Sequence, residues 1–377
     1  PKEAFKGLPG LLADALPDKF GNALIDAWRV AQGRSADSFN PVERLCYIGT
    51  RGMGALEFHP MLARSTNRSH KVEIDALMQL ADAVLNHRQQ LSGTLAGSDD
   101  HAALEDILRV GTSAGGARAK AVLAWNARTG EFRSGQVNAG EGFSDWLLKF
   151  DGISNNRDKE LADPQGFGLV EYGCYLLAVA AGIEMSESRL HHEGGRAHFM
   201  TRRFDRDVHG RKLHMQSLAA MRHFDFNAAG AYSYEQAVET IRQLELPMQD
   251  IEQQFKRAVL NVLLRNQDDH VKNIAFLMNQ RGEWRLSPAF DVSYAYNPDG
   301  SWTHQHQMSL QGKRDHFELD DLIGFGRFCG LKPTKAKRMI EDIHGQVVQW
   351  MHFADQAGVP EAMAAKIDRS LRRELVS

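Results

Sequence analysis

Cysteine is scarce in these 377 residues: only Cys46, Cys174 and Cys329, far apart and without a CxxC pair. That spacing excludes a zinc ribbon and a disulfide framework, and it reads as free thiols in a reducing cytoplasm. Long apolar runs are also missing. The longest, 174–183, covers ten residues, against the roughly 20 a membrane helix needs. A core helix is therefore expected there, and no membrane partner. No secretory leader is read at the start, where the first residue is Pro, so a fragment or trimmed product is expected. Neither sign of charge dominates, since 45 Lys and Arg against 48 Asp and Glu leave a net −3. Nucleic-acid binding by bulk charge is disfavoured, although a local basic patch is not. Repeats and low-complexity tracts are absent. What remains is ordinary for a folded chain, with 43% apolar and 25% charged residues. The length suits two or three domains, or one large bilobed unit with a sizeable core.

Hydrophobic spacing predicts an amphipathic helix over 70–85, with Ile74, Leu77, Met78, Ala81 and Leu85 on one face. The segment 10–30 reads as helix broken at Pro17. A Gly/Ser-rich loop over 91–100 and a short helix over 102–110 follow. At Gly111 the character changes to a glycine turn, then short strands at 121–125 and up to Phe150. A helix over 167–181 stops at Gly182, and a short strand at 198–201 leads into Arg203-Phe204-Asp205-Arg206. Beyond it the chain reads as helical: 233–244 capped by Ser233, 248–265, 333–351 and 360–373. One interruption, 266–291, reads as loop, strand, turn, strand, loop. Two lobes are expected to meet near residue 200.

That interruption is the informative stretch. It runs Asn266-Gln267-Asp268-Asp269-His270-Val271-Lys272-Asn273, with Phe290-Asp291-Val292 after the hairpin. Moving the γ-phosphoryl of ATP needs positioning and charge neutralisation more than covalent help. One carboxylate must accept the hydroxyl proton, while a second carboxylate and an amide hold magnesium. Protein kinases space the catalytic Asp and the metal-binding Asn five residues apart, as Asp268 and Asn273 are. The spacing alone is common in loops. Loop, hairpin and second Asp in this order are more specific, because the hairpin folds Asp291 back beside the loop.

Lys149 lies in the apolar run Trp146-Leu147-Leu148-Lys149-Phe150. It is either an edge-strand lysine snorkelling to water or the strand lysine that grips ATP phosphates. Glu171, on the helix that follows, is either its carboxylate partner or part of a solvated face. The turn 111–117 can cradle phosphates with backbone N–H groups. It is neither a Walker A loop nor G-x-G-x-x-G, and a plain interdomain turn remains open. His191, His192, His304 and His306 fit no standard zinc spacing. A metal-hydrolase site on Asp268, Asp269 and His270 would leave Asn273, Lys149 and the glycine turn without roles.

These residues together resemble the HipA family of bacterial protein kinases, the toxin side of HipBA-type toxin–antitoxin systems, over nearly the whole chain. Ser113-Ala114-Gly115-Gly116-Ala117-Arg118-Ala119-Lys120 is similar to the family's phosphate loop, and Arg203-Phe204-Asp205-Arg206 to the box after its hinge. The segments 266–273 and 290–292 are the most specific matches. The resemblance implies an α+β, bilobal protein-kinase-like fold, with a mixed N-terminal lobe over 1–200 and a mainly helical C-terminal lobe over 201–377. Within the first lobe, 1–110 would be a shortened N-terminal subdomain, which puts antitoxin docking in question. The resemblance implies Asp268 as catalytic aspartate, Asn273 and Asp291 as Mg2+ ligands, and Lys149 on the ATP phosphates. Ser113, Ala114, Gly115 and Gly116 would cover the phosphates. Ser113 would be the autophosphorylated residue, with Thr112 adjoining it. The backbone at Met200, Thr201 and Arg202 would hold adenine, and His270 would support the loop at the nucleotide site.

The expected activity is Mg-ATP-dependent phosphorylation of a Ser or Thr hydroxyl. By resemblance its protein targets are of the aminoacyl-tRNA synthetase class. A HipB-like antitoxin, and DNA only through it, are the expected partners. A small-molecule phosphotransferase and a non-catalytic binding protein are the alternatives.

Overall fold

The computed structural model describes residues 3–31, 33–35, 38–62, 71–86, 111, 118–135, 139–153, 165–207 and 209–376. In chain order the elements are α1 (Gly10–Ala13), α2 (Lys19–Ala31), α3 (Pro41–Ile48), α4 (Ile74–Asn86), β1 (Lys120–Trp125), β2 (Phe132–Ser134), β3 (Ser144–Lys149), α5 (Phe167–Ala180), β4 (Ser188–Glu193) and β5 (Arg196–Arg202). Then come β6 (His214–Ser217), α6 (Leu218–Arg222), β7 (Tyr232–Ser233), α7 (Tyr234–Gln243), α8 (Met248–Leu264), a 3-10 turn (Val271–Asn273), β8 (Ala275–Met278) and β9 (Trp284–Leu286). The chain ends with β10 (Met308–Ser309), α9 (Leu319–Phe328), α10 (Pro333–Val347), α11 (Trp350–Ala357) and α12 (Glu361–Asp368). The fold is mixed α/β. No helix among the described residues is long and apolar enough to cross a membrane.

The chain divides into a sheet unit, Leu12–Gly168 with Glu187–Met215, and a helical unit, Pro1–Leu11 with Leu169–Ser186 and Gln216–Ser377. The two units are interleaved along the chain. The reason lies in α5. It is apolar almost all round, as helices buried on every side are, and Val170, Cys174, Leu177 and Ala178 belong to the core of the later helices.

In the sheet unit five antiparallel strands run in the order β2-β1-β3-β5-β4. β3 pairs with β1 through Lys120↔Lys149 and with β5 through Lys149↔Phe199. Phe20, Leu24, Ile74 and Leu77 of α2 and α4 share one core with Leu123, Trp146, Leu148 and Met200 of the sheet. Helix α3 starts in a capping box, where Asn40 Oδ1 accepts from Glu43 N–H and Glu43 Oε2 from Asn40 N–H.

In the helical unit α8 is central. Phe255, Ala258, Val259 and Val262 are fully buried, and α10 lies along it. Burying one such side chain contributes about 1.5–3 kcal/mol. Ser233 caps α7, paired with Gln236 in a capping box. Gly326 of α9 allows close helix approach, because a Cβ there would lie 2.6 Å from the Ala336 Cβ. β8 and β9 form the expected hairpin, with Phe276 opposite Leu286.

Candidate active site

The site begins where α8 stops. Arg265 takes the left-handed conformation, with φ 55°, and closes the helix with its N–H on the Asn261 and Val262 carbonyls. The chain then turns into the loop 266–273. The Asp268 carbonyl is its hub, accepting the His270 N–H at 3.0 Å and the Asn273 amide Nδ2 at 2.9 Å. With Nδ2 committed to the loop, Oδ1 is the atom Asn273 offers to a ligand.

The hairpin returns the chain to this loop. Asp291 has φ 52°, a left-handed conformation that Asp tolerates better than most residues. Asn266 donates from Nδ2 to the Asp291 carbonyl at 3.3 Å and to Asn261 Oδ1 at 2.9 Å. Asn273, His270 and Asp291 line one small cavity together with Asp269, Asn266 and Arg257. The structure therefore brings Asn273 and Asp291 to a common cavity and ties Asp268 to Asn273 through the loop backbone.

The two adjacent aspartates have different surroundings. The Asp268 side chain is about half exposed, at 48%, and takes the Trp302 indole N–H on Oδ1 at 2.7 Å. His270 Nε2 lies 3.9 Å from the same oxygen. Asp269 is buried. Its Oδ2 accepts from Tyr234 Oη at 2.6 Å and from His306 Nδ1 at 2.8 Å, and its Oδ1 accepts the Gln307 N–H at 2.8 Å. Arg372 Nη1 reaches His306 Nε2 at 2.9 Å. Since a guanidinium only donates, His306 Nε2 accepts, and the ring is the neutral Nδ1–H tautomer. Burial, with the Asp269 charge beside it, raises the Tyr234 phenol well above its ordinary range, so Tyr234 stays a donor. Asp269 thus holds the loop while Asp268 faces solvent. Asp269→Asn is expected to cost about 1.5–3 kcal/mol, the scale of hydrogen bonds to a charged group, read as a lower Tm in a thermal scan.

Lys149 and Glu171 are both buried. Lys149 is 8% exposed on β3, the middle strand of five, so it is not an edge lysine reaching water. Its Nζ lies 5.7 Å from the Phe199 ring centroid. Glu171 is 3% exposed and so not on a solvated face. Lys149 belongs to the sheet unit and Glu171 to the helical unit. Met200 and Thr201 have ladder partners on both flanks, and the Arg202 N–H donates to the Glu187 carbonyl at 2.8 Å. Ser113, Ala114, Gly115, Gly116 and Thr112 lie outside the described residues, as do the loop expected at 91–100 and the helix expected at 102–110.

The Arg203-Phe204-Asp205-Arg206 box is a buried ion cluster. Asp205 accepts from Arg203 Nε at 2.9 Å and Nη2 at 2.7 Å, from Arg206 Nη1 at 2.9 Å, and from the Gly54 N–H at 2.7 Å. It fastens the segment after β5 to the Gly52–Gly54 turn, within the sheet unit. Trp302, Gln307 and Tyr234 have no signal in the sequence that links them to the loop. His306 was legible only as a histidine among sixteen.

The HipA-like C-terminal domain matches residues 112–351, and the HipA N-terminal domain matches residues 2–59. No curated protein matches the chain. Among solved structures it is similar to HipA of Shewanella oneidensis MR-1, in a complex of HipA, HipB and operator DNA. The TM-score is 0.68 at 17% identity, over 97% of this chain and 83% of that one. The Helicobacter pylori proinflammatory kinase CtkA aligns with a TM-score of 0.39 at 12% identity, over 63% of this chain and 90% of that one.

Proposed function

Because the chain belongs to the HipA family, we propose that it is an ATP-dependent kinase that phosphorylates Ser or Thr hydroxyls of proteins. One observation carries the reading. The loop that bears Asp268 also fixes Asn273 by the 2.9 Å bond and reaches Asp291 through Asn266. A general base and an amide–carboxylate pair are thereby joined in one hydrogen-bonded assembly, the set that phosphoryl transfer requires.

Asn273 and Asp291 would hold Mg2+. An amide oxygen and a carboxylate lining one cavity suit a hard cation that keeps most of its other positions for phosphate and water. When bound, the ion neutralises charge on the phosphates. Asp268 orients the acceptor hydroxyl and takes its proton. The hydroxyl oxygen bonds to the γ-phosphorus, the bond from that phosphorus to the β–γ bridging oxygen breaks, and ADP leaves. Lys149, buried in mid-sheet, holds the phosphates. Ser113, Ala114, Gly115 and Gly116 are proposed as the phosphate loop, with Ser113 as an autophosphorylation site. The Shewanella structure contains HipB and operator DNA. A HipB-like antitoxin, and DNA only through it, are proposed as partners here, with the aminoacyl-tRNA synthetase class as protein target.

The test is ADP release and intact mass after incubation with Mg-ATP, with and without EDTA. Release that EDTA abolishes, with phosphate gained by the chain or by an added protein, is the expected result. Transfer confined to small hydroxyl compounds would replace the protein-kinase reading with a metabolite phosphotransferase. No ADP release in any arm would remove the kinase reading.

A further inference from the structure

We propose that Trp302 is a positioning residue for the phosphoryl transfer: its indole N–H holds Oδ1 of Asp268 and so presents Oδ2 to the acceptor hydroxyl. The inference rests on the kinase reading above and names a part of the machinery that the spacing of the loop does not contain.

A half-exposed carboxylate on a loop can rotate about its terminal torsion, which is broad and roughly two-fold. Either oxygen could then face the substrate. At Asp268 the torsion is restrained. The indole N–H of Trp302 is a donor with no acceptor capacity, and it meets Oδ1 at 2.7 Å, within the range of short, charge-assisted bonds. The other oxygen is left to accept a second hydrogen bond, as a hydroxyl nucleophile requires.

Trp302 is itself held. Its carbonyl accepts from Gln307 Nε2, which also reaches the Gln267 carbonyl at 3.1 Å. The Gln307 backbone N–H ends on Asp269 Oδ1 at 2.8 Å. The segment 302–307 therefore grips both aspartates of the loop, one through an indole and one through a backbone amide. A surface tryptophan that met Asp268 by chance would not need its own carbonyl held by the same Gln307 amide that reaches the residue before that aspartate. The indole N–H of Trp302 meets the carboxylate of Asp268, the proposed base, so its effect should fall on the hydroxyl side of the transfer rather than on nucleotide binding.

Two measurements test this. In the first, Trp302→Phe keeps the ring and removes the N–H. ADP release from Mg-ATP should show kcat lowered roughly 10- to 100-fold, the factor a lost hydrogen bond to a charged group represents. KM for ATP and the Tm should stay near wild type. The second does not depend on turnover. The Trp302 indole resonance in an 15N-labelled spectrum, assigned by its absence from Trp302→Phe, should lie downfield and move upfield in Asp268→Ala. Unchanged or raised kcat in Trp302→Phe would overturn the proposal, as would an indole resonance indifferent to Asp268→Ala. If Trp302→Phe does not fold, the comparison of wild type with Asp268→Ala decides alone, with Trp302 assigned by elimination through the other five single-tryptophan variants. A wild type that shows the indole shift but releases no ADP would overturn the kinase reading and, with it, the positioning role.

Discussion

Asp268→Asn should slow phosphoryl transfer from ATP by about 10²- to 10⁴-fold, the usual worth of a positioned general base. Its thermal stability should stay within about 2 °C of wild type. The two halves of this expectation come from the same geometry. The side chain is about half exposed, so little packing depends on it. Asn keeps an oxygen for the Trp302 indole, and the Asp268 backbone carbonyl still serves His270 and Asn273. What disappears is the negative oxygen that takes the hydroxyl proton. ADP release and a thermal scan on the same preparation check both. Transfer within a few-fold of wild type would remove Asp268 from the chemistry. A fall of many degrees in Tm would show that lost activity reflects lost structure.

Asp205→Ala is expected to be the most destabilising single change, at about 3–5 kcal/mol, because breaking a buried ion pair strands its partners. Asp205 and Arg203 are fully buried at the side chain and Arg206 is nearly so. Removing the carboxylate leaves two guanidiniums and the Gly54 N–H without it. The same cluster has a pH signature. Burial alone would raise the Asp205 carboxyl, but Arg203 and Arg206 outweigh it and hold the group down to about 2. A carboxyl whose folded value lies below its unfolded value, ordinarily near 4, contributes stability that is complete above the unfolded value. That stability is lost as pH falls towards about 2. Wild type should therefore lose stability steeply between about pH 4 and 2, and Asp205→Ala should show a shallower slope over that window. Equal slopes for the two proteins in acid-unfolding curves would mean that the cluster is not linked to folding as drawn.

Local pattern made much of this legible. The loop 266–273 and the hairpin after it are contiguous, so the return of Asp291 to the cavity that Asn273 lines could be read without a structure. Lys149 was legible as an oddity, and only the strand order shows that it lies in mid-sheet. Strand β4 was missed because Arg189, His191, His192 and Glu193 give it polar residues on most positions. Its pairing with β5 rather than its composition makes it a strand. Helix α9 was missed because its acidic start and its two glycines obscure a short apolar face. Trp302 and His306 reach the two aspartates across 34 and 37 residues, a separation at which no periodicity acts. The helices at 233–244 and 248–265 came out correctly, since each has a cap or a regular core face of its own.

The interleaving of the two units also sets the order in which the protein can be made. Synthesis crosses from one unit to the other four times, at residues 11, 168, 186 and 215. The sheet unit cannot close until β4 and β5 have followed α5 out of the ribosome. Helix α5 emerges early, yet the helices that share its core begin only after Gln216, and the Trp350 and Ala357 side chains that face its Gly173 lie on α11 near the end of the chain. At roughly 5–20 residues per second, an almost wholly apolar helix waits several seconds for its neighbours. During that wait it presents to the cell the kind of surface that chaperones hold and that nascent chains aggregate through. The yield of soluble protein should therefore depend on translation speed between residues 180 and 357 more than on the strength of any one contact in the finished fold.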